Sequence, residues 1–332
     1  MEHPFAKHIS SVFVVCSPFQ ALCAISAIRN LEISDYKFIV VLSGYKRDDQ
    51  LLSFVKRNKI DFEVFKNKRF SYWIQFVKAL KKCNKGYRRL FIGDFRTYLL
   101  YWVGLQKVRD NADIIILDDG NITISLLKDS ARNRDKWMQQ ICMDVISNIR
   151  KVRLLKNLFT IYDKIDNPKY NIAVNKLSVL HETFDSNTSD KVYFIGTKKV
   201  QYCRNCGWET DEYFISALDS ILCSLKEKYS YADIVYVPHG DDVGEYAERL
   251  CEKYNIMFTR PNEMVELFIL INGSPIAVYG FTSSALYNIK KMFPNSNVYN
   301  IVFSNVGNEQ AKIENIQISE YYKENDIQKI VI

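Results

Sequence analysis

"SSVFVVCSPFQALCAISAIRNL", residues 10–31, decides the fold. A β-branched apolar run stops at a Ser-Pro turn, and apolar positions at Leu22, Ile25, Ala27 and Ile28 then recur at helical spacing. The run is apolar throughout instead of alternating, which marks a strand covered on both faces, as in a parallel sheet with crossover helices. Working outward, "YKFIVVLSG", "DFEVFK", "RRLFIGD" and "ADIIILDDG" repeat the strand pattern, with "YWIQFVKALKK" and "RTYLLYWVGLQKV" helical between them. From about residue 122 to 190 the pattern reads as helical and charged, with "NIRKVRLLKNLFTIYDKI" its most basic part. That stretch is expected to close one domain and link it to the next. "KVYFIG" (191–196) restarts the alternation: a helix around 211–228, the strand "ADIVYVPHG", a helix over 245–254, the short strand "IMFTRP", a helix over 263–271, "PIAVYG", a helix from Ser284, and "SNVYNIVF". The expectation is an α/β protein of two similar halves, 1–185 and 186–332, facing across a cleft.

The bulk numbers agree. At 332 residues the chain exceeds what one hydrophobic core sustains. With 48% hydrophobic and 25% charged residues it reads as globular, not disordered. No apolar run approaches the roughly 20 residues of a membrane helix. The opening "MEHPFAKHISSVFVVCSPFQ" lacks a signal-peptide pattern, so a cytoplasmic protein is expected. Eight scattered cysteines read as reduced, buried thiols. Cys203 and Cys206 have CxxC spacing, but no second ligand pair lies near to complete a zinc site. A net charge of +7 favours anionic partners: nucleotides, nucleic acid or an anionic membrane leaflet. Each of its basic clusters, 66–69, 81–89 and 150–156, reads more readily as a solvated helix face. There is no GxxxxGK[ST] and no GxGxxG after a strand, which argues against kinases and dinucleotide-dependent dehydrogenases.

In open parallel sheets ligands sit beyond the carboxyl ends of the strands. Six polar loops fall there: "CSPFQ", "GDFRT", "DDGN", "FIGT", "VPHGDD" and "GFTSSAL". In the last, Thr282, Ser283 and Ser284 precede a helix, where unpaired N–H groups and the dipole favour a phosphate; an ordinary serine N-cap reads equally well. His239 follows an apolar strand, in place to donate to a leaving phosphate. Asp118 and Asp119 are adjacent carboxylates whose repulsion raises one pKa, suiting a general base near neutral pH. A metal site or capping turn is the alternative, but the DxD spacing of metal-dependent sugar transfer is absent, so a metal-free base is expected.

Together "VVCSPFQALCAI", "LFIGDFRTYLLYWV" into "IIILDDGN", "VYFIG", "VYVPHG" and "VELFILINGSPIAVYGFTSSALYNI" resemble the bacterial sialyltransferases of glycosyltransferase family 52 and their GT-B relatives, including the polysialyltransferases. The resemblance spans most of the chain. It implies a GT-B fold of two Rossmann-like domains, with CMP-sialic acid held mainly by the second and no cofactor. Carried over by motif, Asp119 is the base on the acceptor hydroxyl, with Asp118 the fallback. His239, with Gly240 beside it, meets the departing CMP phosphate, and Ser283 with Ser284 binds that phosphate. Glu266, preferred over Glu263, grips the ribose. Gly196 and Thr197 lie near the nucleotide, and Ser17 and Gln20 line the acceptor side. The sequence departs from the family where His239-Gly240 runs into Asp241 and Asp242 in place of His-Pro or a basic residue.

The activity implied is inverting, metal-independent transfer of sialic acid to a terminal galactose-type sugar of a bacterial surface glycan, the acceptor lipid-linked and the basic segments resting on the inner leaflet. Rivals are a GT-B transferase using another CMP-ulosonic acid (Kdo or legionaminic acid) or a UDP-hexose. More distant is a non-enzymatic nucleic-acid binder; against it, the 21 tyrosines and 20 phenylalanines sit mostly in apolar elements and no RNP or zinc-finger signature occurs.

Overall fold

The computed structural model describes residues 10–42, 44, 47–66, 87–93, 108–128, 153–165, 167–177, 180 and 189–332. The chain divides into two compact units, the first running to Glu182 and the second from Thr183 to Ile332. The helices expected over 72–82 and 96–107 lie outside the described residues, as do most of the three basic clusters.

In the first unit β1 (Ser11–Val15), β2 (Tyr36–Leu42), β3 (Phe62–Lys66), β4 (Tyr87–Ile92), β5 (Val108–Leu117), β6 (Arg153–Thr160) and β7 (Asn171–Val174) form a parallel sheet in the order β3-β2-β1-β4-β5-β6-β7. Among the described residues its helices are α1 (Pro18–Asn30), α2 (Arg47–Arg57) and α3 (Ile122–Leu127). All five residues of β1 are buried, four of them the apolar run 12–15. Phe13 stacks between Phe38 and Phe91 of the neighbouring strands, fixing β2, β1 and β4 side by side. α1 starts where it does because the Ser17 hydroxyl accepts the Gln20 N–H and Pro18 needs no amide partner in the first turn.

β6 and β7 correct the sequence reading, which made 122–190 helical. The doublets Leu154-Leu155 and Leu158-Phe159 are spaced as on a helix face. In a strand covered on both sides, however, periodicity carries no information. Leu158 and Phe159 are buried beside β5. Asn157 is buried too, donating to the Ile114 carbonyl and accepting from Asn171, so a polar residue stands inside a core strand. The basic segment 81–89 is also corrected at its end: Arg89 is fully buried in β4 and donates to Ser11, so its charge does not face an anionic surface. Burial lowers its pKa to about 10, with Asp113 pulling the other way, and the guanidinium stays charged.

In the second unit β8 (Lys191–Ile195), β9 (Asp233–Val237), β10 (Met257–Phe258), β11 (Ala277–Gly280), β12 (Asn297–Val302) and β13 (Ile327–Val331) form a parallel sheet in the order β10-β9-β8-β11-β12-β13. Around it run α4 (Lys199–Cys206), α5 (Glu212–Lys228), α6 (Glu245–Lys253), α7 (Val265–Asn272), α8 (Ser284–Met292) and α9 (Glu309–Lys323). Cys203 and Cys206 sit on the inner face of α4, in a core with Phe194, Phe214 and Phe281. Burial pushes the Cys206 thiol up to about 12, which suits packing and not thiolate chemistry.

Both sheets reverse strand order once at the centre, β1 having β2 on one side and β4 on the other, and β8 having β9 and β11. Such switch points leave a crevice at the strand carboxyl ends. No helix among the described residues is long and apolar enough to cross a membrane.

Candidate functional site

The switch point of the first unit is filled by residues distant in sequence. Pairing sets Val14 beside Ile92, Ile92 beside Ile116, and Leu117 beside Phe159, so Cys16, Gly93, Asp118 and Thr160 leave the sheet at nearly one level. Gly120 then turns the chain into α3 with φ of 67°, a conformation glycine adopts without strain.

The two aspartates point into different surroundings. Asp118 is fully buried; its Oδ1 accepts the Thr160 hydroxyl at 2.6 Å and its Oδ2 the Ile161 N–H at 2.8 Å. Burial raises its pKa to about 7 against the opposing effect of those donors and of Thr123, with Asp119 adding repulsion. Thr123 also accepts the Asp119 N–H at 3.2 Å, pinning the pair. Asp119 is half-buried. Its Oδ1 receives the Gln20 amide at 2.7 Å. Gln20 is itself buried, and its Oε1 accepts the Cys16 N–H at 2.7 Å. Ser17, expected near an acceptor, spends its hydroxyl on capping α1.

In the second unit, Val237 and Gly280 both pair with Ile195. Gly196, Pro238-His239 and Phe281-Thr282 therefore emerge side by side, the outer two roughly 10 Å apart at two strand spacings. The Gly196 N–H donates to Val237 O at 2.8 Å, and Thr197 behind it is half-buried.

His239 is exposed, and its Nδ1 accepts the Asp241 N–H at 3.1 Å. An amide N–H can only donate, so the neutral ring carries its proton on Nε2. The turn through Gly240 closes with Asp242 N–H donating to His239 O at 2.9 Å. Asp242 is buried and accepts the Tyr246 hydroxyl at 2.9 Å, while Arg260 donates to the carbonyls of Asp242 and Val243. One of the two acids that stood out in "HGDD", Asp242, thus anchors the turn from within.

Thr282, Ser283 and Ser284 are half-buried at the start of α8. Thr282 has φ of 41°, costly for a β-branched residue, and its N–H donates to the buried Asn300 side chain at 2.8 Å. Tyr322 donates to Ser283 O at 2.8 Å. Ser283 caps α8 by accepting the Ala285 N–H at 3.3 Å, and its carbonyl takes the Leu286 N–H. Ser284, first in the helix, presents its amide and hydroxyl at the positive end of the dipole. Glu266, in the first turn of α7, is buried and accepts the Asn288 amide at 2.8 Å. Asn288 lies four residues after Ser284 and so on the same face of α8. Burial raises the Glu266 pKa, opposed by the Asn288 bond. Glu263 precedes α7 and is half-buried.

Gly93, Thr123, Thr160, Arg260, Asn288, Asn300 and Tyr322 are the supporting residues that sequence reasoning missed. Only Gly93 carried a signal, as the glycine at the strand end in "GDFRT".

No family model and no curated protein sequence matches the chain. Solved structures do. The α/β-galactoside α-2,3-sialyltransferase of the luminous marine bacterium Photobacterium phosphoreum is 16% identical, with 98% of each chain covered and a TM-score of 0.55. The 2,6-sialyltransferase of Photobacterium sp. JT-ISH-224, in a ternary complex with CMP and lactose, is 13% identical over 96% of this chain and 78% of its own, with a TM-score of 0.57. Arabidopsis thaliana UGT89C1, complexed with UDP-L-rhamnose, is 8% identical over 97% and 85%, at 0.51. The chain therefore has the GT-B fold of two parallel α/β units, the class that the sequence resemblance implied. At these identities the likeness identifies the fold and leaves the donor open.

Proposed function

We propose that the protein is an inverting sialyltransferase moving sialic acid from CMP-sialic acid to a terminal galactose-type sugar of a bacterial surface glycan. The observation that carries this reading is the anion cradle of the second unit. The Nε2–H of His239 and the amide and hydroxyls of Ser283 and Ser284 leave strands on either side of β8, at one level. Such a set of donors suits the phosphate of a departing nucleotide.

In this mechanism the acceptor oxygen bonds to the anomeric carbon of the sialic acid as the bond from that carbon to the CMP phosphate oxygen breaks. Asp119 takes the acceptor's proton. CMP leaves with the electron pair, its growing charge met by His239 and the α8 N-terminus. Attack opposite the leaving group turns the β-linked donor into an α-sialoside. Phosphate is a good leaving group and the transition state is oxocarbenium-like, so this chemistry does not call for a metal ion. Of the two aspartates, Asp119 fits the base: Asp118 is fully buried with both oxygens engaged, whereas Asp119 is half-buried. Glu266 receives the ribose, and Gly196 and Thr197 border the nucleotide.

The test is transfer by the purified protein from CMP-sialic acid to lactose and aryl galactosides, with and without chelator. Chelator-insensitive release of CMP with formation of sialoside is expected. Turnover with a UDP-hexose or another CMP-ulosonic acid, and none with CMP-sialic acid, refutes the donor assignment.

A further inference from the structure

We infer that Gln20 is the positioning residue of the catalytic base: it holds Asp119 in its ionised form with Oδ1 fixed. The inference rests on the reading of Asp119 as that base.

The geometry leaves the Gln20 amide one orientation. The Cys16 N–H reaches it at 2.7 Å and can only donate, so the oxygen faces Cys16 and the amide nitrogen faces Asp119. The side chain cannot easily swing away, because it lies flat on Gly93. A Cβ at that position would come within 2.4 Å of Gln20 Oε1 and 2.5 Å of Cδ. Gly93 does not have a left-handed backbone, so this close approach, and not conformational freedom, is what glycine provides there. Three neighbouring strand ends thus combine: β1 supplies an N–H, β4 an absent side chain, and β5 the carboxylate. A hydrogen-bond donor against a carboxylate favours its ionised form. Titratable neighbours of this carboxylate include Asp118, adjacent to it just after β5, and the Cys16 thiol, just after β1. A glutamine lining only an acceptor pocket would need neither the bond to Asp119 nor the bare strand end.

Two substitutions separate positioning from a structural role. Gln20→Glu keeps the acceptor for the Cys16 N–H and replaces the donor facing Asp119 with a second carboxylate. Gly93→Ala leaves both Gln20 and Asp119 chemically intact and displaces the amide. The direct measurement is the titration of the Asp119 carboxyl carbon by NMR in aspartate-labelled protein, the resonance being assigned by its loss in Asp119→Asn. Upward shifts on the order of one pH unit are expected in both variants, larger in Gln20→Glu. The acid limb of kcat/KM for transfer should move up with them, kcat falling by up to about tenfold at pH values below the limb and little above it, with KM for CMP-sialic acid holding. An Asp119 titration unmoved in both variants overturns the inference, however much activity falls. If the carbon shifts but the wild type transfers no sugar from any nucleotide donor, the Gln20–Asp119 pairing stands and the sialyltransferase reading falls.

Discussion

Replacing Asp118 with asparagine exposes a cost that the folded protein carries at neutral pH. Asp118 is fully buried, and burial lifts its pKa from 3.8 to about 7, even though Thr160, the Ile161 N–H and Thr123 all donate to it. The folded state therefore holds this proton more tightly than the unfolded chain does. Between about pH 4 and pH 7 the folded state binds more protons, so this group's contribution to stability falls as pH rises through that window. At 1.36 kcal/mol per unit, the full span is roughly 4 kcal/mol, of which roughly 3 kcal/mol lies between pH 5 and pH 8. Asparagine has no proton to lose. Its oxygen can accept the Ile161 N–H while its amide donates to the Thr160 hydroxyl, so these two contacts survive. The stability of Asp118→Asn relative to wild type should thus climb by up to about 3 kcal/mol from pH 5 to pH 8 and then level off. Urea unfolding at pH 5, 6, 7 and 8, followed on the transition that responds to the substitution, reads this out. A wild-type-to-variant difference that is flat across that range would refute the reasoning, showing that Asp118 ionises in place without penalty.

Asp119→Asn and His239→Ala should each lower kcat by about 100-fold or more while remaining folded, and calorimetry should find CMP still bound by Asp119→Asn; near-normal turnover in either defeats the role given to it. Ser283→Ala removes the cap of α8 and should cost about 1 kcal/mol of stability together with weaker CMP binding. If stability drops with CMP affinity intact, Ser283 is a cap and nothing more. Tyr322→Phe deletes the 2.8 Å bond to Ser283 O, expected to cost about 1 kcal/mol and to raise KM for the donor more than it lowers kcat. A kcat loss at constant KM would place Tyr322 in the chemistry instead of behind the loop.

The α/β alternation was legible in the sequence because strands buried on both faces are written as short continuous apolar runs. The strand-end motifs "DDGN", "VPHGDD" and "GFTSSAL" were legible because polar residues interrupt those runs abruptly. Two of the seven strands in the first sheet were not, since Asn157 is polar and the leucine doublets of β6 fit a helix equally well. Pairing with β5, not any local preference, makes that segment a strand.

Local sequence thus determined the kinds of element, the positions of the strand exits and the residue types offered there. Tertiary structure decided what each residue faces. Asp118 and Asp119 are neighbours of the same type, yet one is sealed between Thr160 and Ile161 while the other meets Gln20, 99 positions away. Asp242 turns inward to Tyr246, and Glu266 finds Asn288 across two helices. The physical reason is that strand register sets which chain ends share a level, and burial sets which of two identical carboxylates loses its water. Neither quantity is written within a few residues of the group it governs.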